Sequence, residues 1–155
     1  MTIKKIICAF SFALLFASAT NAQENNSVRE KFNFNYGWKL NIGEAEDAAK
    51  ENYDDKKWPD VNLPFAWNQA EAFKNDIAHL STGIAWYRKS FQLPKNSDDK
   101  KVFIEFEGAR QMGEVYLNGT FIGRHENGAM AFGFDLTPFV KPYPQENIIA
   151  VKTDN

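Results

Sequence analysis

The sequence is poor in the residues from which small reactive sites are usually built. It holds one cysteine, Cys8, and two histidines, His79 and His125, in 155 residues. Cys8 falls inside an N-terminal stretch that reads as a removable export signal. The mature chain is therefore expected to have no disulfide, no thiolate nucleophile and no cysteine-based metal site. No Gly-x-Ser-x-Gly elbow, His-x-x-x-His pair or Asp-rich calcium loop occurs. An acyl-transfer triad or a metal centre would lack its parts, and no cofactor is expected. No run of Lys and Arg is longer than two residues, so nucleic acid is not an expected partner. The apolar stretch from Ile6 to Ala17 is short of the roughly 20 residues that span a bilayer, so no membrane span is expected in the mature chain. No repeat of fixed period is visible, which argues against propellers and solenoids.

The N-terminus carries the features of secretion in order: Lys4 and Lys5, the apolar stretch, and the small-residue site Thr20-Asn21-Ala22. Residues 1–22 are read as a signal peptide, 23–31 as a flexible lead-in, and the product as exported, to the periplasm or the medium. Cleavage leaves 133 residues with a charge of −4, enough for one domain with its own core. A (β/α)₈ barrel, which needs at least about 200 residues, does not fit.

Most of the remaining chain has strand periodicity. Ile84–Leu93 lies between Gly83 and Pro94 and is rich in aromatics. Lys101–Glu107 alternates, placing Val102, Ile104 and Phe106 on one face. Asn118-Gly119 between two apolar runs predicts a tight hairpin with both turn residues at positive φ. That turn pairs Leu117 with Thr120, Tyr116 with Phe121 and Val115 with Ile122, turning Val115, Leu117 and Ile122 to the core. The hairpin also accounts for Asn118-Gly119-Thr120, formally a glycosylation sequon. Asn147–Thr153 is a Val/Ile strand, and Glu44–Asn52 reads as a short surface helix or excursion. Short strands between turns, without a long helix, predict an all-β sandwich.

Candidates for chemistry each have a plainer reading. Glu105 and Glu107 share a strand face about 7 Å apart, within reach of glycosidase geometry. Carboxylates opposite an apolar face are more simply a solvated surface, and that reading is favoured. His79 and His125 read as surface or loop residues, and Asp54-Asp55 and Asp98-Asp99 as turn or helix-start residues. The four tryptophans are expected chiefly in the core. Tyr116 and Phe121, with Phe103 nearby, would form an aromatic patch away from the core, as docking surfaces do.

Taken together, seven stretches resemble the N-terminal sugar-binding domain of glycoside hydrolase family 2, the family of β-galactosidases, β-glucuronidases and β-mannosidases. They are FNFNYGWKL (Phe32–Leu40), DDKKWPDVNLPFAWN (Asp54–Asn68), GIAWYRKSF (Gly83–Phe91), KVFIEFEGA (Lys101–Ala109), VYLNGTFIGRHENG (Val115–Gly128), FGFDLTPFV (Phe132–Val140) and NIIAVKTDN (Asn147–Asn155). They follow the family's order over residues 32–155. The resemblance implies a galactose-binding-like jelly-roll β-sandwich whose partners are a β-glycoside carbohydrate and the downstream domains of a parent enzyme. It places the catalytic glutamates on a barrel further along, so none is expected here. It further implies that the chain stops before the sandwich's closing strand, leaving an unpaired edge near Asn147–Thr153 or on a neighbouring strand, and low solubility.

The loop that the resemblance brings to the sugar is Arg124–Gly128, giving His125, Glu126 and Asn127 as substrate-binding residues. Asn127 stands where related β-galactosidases can carry an acid, so a cation-binding role is not carried over. Phe65 and Ala66 replace a polar residue in the Leu-Pro-x-x-Trp stretch, and that loop is assigned no binding role. A free-standing carbohydrate-binding module is the alternative reading; a small hydrolase built on Glu105 and Glu107 is a third.

Overall fold

The computed structural model describes residues 29–69 and 81–155. The expected signal peptide, Cys8 and His79 lie outside them. Residues up to Phe32 form a separate unit, and the sandwich runs from Asn33 to Asn155. Its strands are β1 (Trp38–Ile42), β2 (Asp60–Val61), β3 (Ile84–Gln92), β4 (Phe103–Phe106), β5 (Met112–Leu117), β6 (Thr120–His125), β7 (Phe132–Asp135) and β8 (Glu146–Asp154). They make an antiparallel sheet of order β2-β1-β3-β8-β5-β6 and a second sheet of β4 and β7.

The core lies between the sheets because alternate residues point inward. Trp38, Leu40, Ala85, Tyr87, Val115, Leu117, Ile149 and Val151 pack there with Ile104 of β4 and Leu136 beyond β7. The expected inward set Val102, Ile104 and Phe106 is found packed on this core, and Phe103 is exposed.

Strand β3 is buried at four consecutive residues, Ala85 to Arg88, which requires cover on both faces. The outer cover is the segment 44–58. Ala48 and Trp58 pack there on Trp86 and Ala150, with Tyr53 and Tyr116 alongside. The segment is an excursion of successive turns rather than a helix: Ala48, Lys50 and Tyr53 each donate a backbone N–H three residues back, and Asp47 has φ 68°. It is pinned by Arg88, a fully buried arginine whose Nε donates to Asp55 Oδ2 at 2.9 Å. The guanidinium also donates to the carbonyls of Ala48, Lys50 (3.0 Å) and Glu51 (3.5 Å).

The hairpin forms on Asn118 (φ 51°) and Gly119 (φ 81°) with the expected pairs Leu117–Thr120 and Tyr116–Phe121. The third expected pair does not form. A bulge between Val115 and Tyr116 sets Val115 opposite Gly123, not Ile122, although Ile122 still packs on the core. A side chain at Gly123 would meet the Phe134 ring at 2.3 Å, so glycine admits that ring.

The expected open edge at Asn147–Thr153 is not there. β8 is an interior strand, paired along its length with β3 and over Ile149–Asp154 with β5. The strands with one free side among the described residues are β2, β6 and the two short strands of the small sheet.

Candidate functional site

The segment from His125 to Phe132 caps one end of the sandwich. Gly113 of β5 pairs with both His125 of β6 and Thr153 of β8. The loop and the close of the last strand therefore share that end.

His125, the last residue of β6, is half-buried. Its ring stacks on Phe132 with centroids 4.3 Å apart and planes at 15°, and Phe132 stacks on Phe106 at 4.8 Å and 14°. Gly113 lies beneath the stack, where a Cβ would stand 3.6 Å from the Phe132 ring, an ordinary van der Waals contact. His125 Nε2 lies 3.1 Å from the Asn127 carbonyl oxygen; that oxygen only accepts, so Nε2 carries the proton. The backbone of the loop is fixed by these contacts and by Gly128, where a Cβ would stand 2.8 Å from the Gln111 nitrogen.

The other two candidate residues are exposed. Glu126 pairs with Arg124, whose guanidinium also lies 3.6 Å from Glu114 Oε1. Glu114 Oε2 accepts from the Tyr116 hydroxyl at 3.0 Å. Burial pushes the Tyr116 phenol up from its ordinary value of 10.0, helped by the Glu114 carboxylate. Asn127 Oδ1 accepts from Ala129 N at 3.0 Å, a local turn that leaves Nδ2 as the amide's donor for an outside oxygen. His125, Glu126 and Asn127 are thus brought together on one short loop. They can exchange hydrogen bonds with hydroxyls, but they form no paired acid and base.

Glu105 projects from the exposed side of β4, and Glu107 is exposed just past its end. Tyr116 and Phe121 pair at 5.4 Å on the outer face of the large sheet, where Trp86 covers Tyr116 from 5.9 Å and Phe121 stays exposed. Phe103 does not join them, because it sits on the other sheet. Among the described residues no cluster of His, Cys, Asp and Glu could hold a metal, and no helix is long and apolar enough to cross a membrane. Hollows of about 240 Å³ beside Arg88 and about 510 Å³ between Leu93 and Tyr143 lie away from the 124–128 loop.

Sequence reasoning missed the Arg88–Asp55 clamp, the buried Asn147 and the Phe106–Phe132–His125 stack. The Phe132-Gly133-Phe134-Asp135 alternation was the available signal for β7 and hence for the stack.

A two-sheet antiparallel sandwich with a polar loop at one end defines an all-β domain. Residues 53–155 match the family model described as beta-galactosidase second all-beta domain. A beta-glucuronidase of Formosa agariphila is 42% identical over 138 residues, 84% of this chain and 14% of that protein. Beta-galactosidase BoGH2A of Bacteroides ovatus is 35% identical over 136 residues, 83% of this chain and 16% of its own. Among solved structures, a beta-glucuronidase from glycoside hydrolase family 2 superposes with a TM-score of 0.75 at 42% identity, covering 79% of this chain and 14% of that one. A beta-glycosidase from Bacteroides vulgatus gives 0.73 at 37%, covering 81% and 17%. The chain belongs to glycoside hydrolase family 2. It spans about one seventh of the length of these relatives.

Proposed function

We infer that the chain is the sugar-contacting, non-catalytic jelly-roll sandwich of an exported family 2 enzyme that hydrolyses terminal β-glycosides. The reading is carried by its likeness to a beta-glucuronidase and a beta-galactosidase over more than four fifths of its length. The loop geometry adds the residues. His125 is the rigid base of the loop, while Glu126 and Asn127 present an acceptor and a donor to sugar hydroxyls. An open loop touches a sugar from one side only, so the remaining walls of the site belong to other domains of the enzyme. Residues 1–22 direct export and are removed.

Retaining or inverting hydrolysis needs two carboxyls about 5–10 Å apart flanking the scissile bond. On this reading neither Glu105 nor Glu107 supplies one. Purified chain assayed with aryl β-glucuronide and β-galactoside is expected to give no turnover. Turnover abolished by Glu105→Gln would overturn the reading in favour of a small hydrolase.

A further inference from the structure

The sequence holds two Asn-Gly pairs, Asn118-Gly119 and Asn127-Gly128. In such a pair the glycine nitrogen can attack the preceding side-chain amide, because glycine carries no side chain to obstruct the approach. The two asparagines are held very differently. Asn118 Nδ2 donates to the Phe139 carbonyl (3.1 Å) and to Asn147 Oδ1 (2.9 Å). Its Oδ1 accepts from Ile148 N (2.9 Å), and its own N–H donates to the Ile148 carbonyl (2.8 Å). Asn147, which receives it, is wholly buried and fixed in turn by Lys141 N (2.7 Å) and the Lys141 carbonyl (3.0 Å). Asn127 is exposed, and its side chain makes a single local bond, to Ala129 N.

The geometry points to Asn118 as a latent self-modification site, closed to deamidation and to glycan attachment while its amide network stands and opened when the hairpin tip unfolds locally. In deamidation the Gly119 nitrogen loses its proton and bonds to the Asn118 side-chain carbonyl carbon. The bond from that carbon to Nδ2 breaks and ammonia leaves. Water then opens the resulting succinimide to aspartate or isoaspartate. Glycan attachment would use the same Nδ2, which is committed to two acceptors. The change is one-way for the fold. An aspartate at 118 has no N–H for the Phe139 carbonyl or Asn147 Oδ1 and sets negative oxygens against both. Isoaspartate also lengthens the backbone of a two-residue turn.

Asn127 is the internal control. The full chain is incubated in warm, mildly alkaline buffer, native or in unfolding urea, and the tryptic peptides 111–124 and 125–152, the second read by fragmentation at Asn127, are followed by mass spectrometry. In the native chain Asn118 is expected to deamidate at least about tenfold more slowly than Asn127, because reaction must wait for local opening. In urea the two rates are expected to converge. A smaller gap in the native chain, or a gap that urea leaves unchanged, would overturn the proposal.

Discussion

Replacing Arg88 by methionine is expected to destabilise the domain by about 3–5 kcal/mol, the cost of breaking a buried ion pair by removing one partner. Arg88 is 1% exposed, and its guanidinium reaches both Asp55 and the carbonyls of Ala48, Lys50 and Glu51. Methionine fills a similar volume but returns none of these hydrogen bonds. Asp55 is left as a part-buried charge without its partner, and the excursion 44–58 loses its tether to β3. Trp86, and the Trp58 of the excursion that packs with it, then gain access to water. A fall in melting temperature on the order of 10 °C is expected, given the usual entropy of unfolding for a domain of this size. Asp55→Asn is expected to cost less, since Asp55 is part-exposed and the carbonyl contacts survive. Thermal unfolding followed by tryptophan fluorescence separates the two variants. An Arg88→Met protein melting with the wild type would refute the tether.

The second large effect is expected at Asn147. Its side chain accepts from Lys141 N and Asn118 Nδ2 and donates to the Lys141 carbonyl, with no exposure to solvent. Asn147→Ala leaves these partners without it, at about 1–3 kcal/mol for each buried group left unsatisfied. The loop 137–146 and the hairpin tip are joined by this amide and by Asn118's bond to the Phe139 carbonyl. A loss of about 3 kcal/mol overall is expected. Hydrogen exchange gives the sharper readout: the Lys141 and Ile148 amides should exchange faster in the variant, while β1 amides shift only with global stability. Unchanged protection at Lys141 would show that the network is not what holds the loop.

These two hubs mark the limit of what the sequence discloses. Alternation located β4, and apolar runs bounded by turn residues located β3, β5, β6 and β8, since both are local signals that need no knowledge of the partner strand. The Asn118-Gly119 turn was legible for the same reason, as a requirement on local backbone. The burial of Arg88 was not legible, because its cover comes from residues 33 to 40 positions earlier. Nothing within β3 announces that contact. The bulge after Val115 was hidden likewise, because the Phe134 ring that fills the space at Gly123 arrives from the other sheet. In the candidate loop, resemblance supplied the residues but not their postures. His125 is half-buried by a phenylalanine on another strand, whereas Glu126 and Asn127 remain exposed.

The central claim is that the 124–128 loop is where this sandwich touches a β-glycoside. It is tested most directly by following the backbone amides of the ¹⁵N-labelled chain while methyl β-glucuronide and methyl β-galactoside are titrated in turn. The account predicts weak, saturable shifts centred on Glu126, Asn127 and Ala129, weakened by Asn127→Ala, with the β4 amides around Glu105 unmoved. Shifts centred on Glu105 or on the hollow beside Tyr143, with the loop silent, would contradict it.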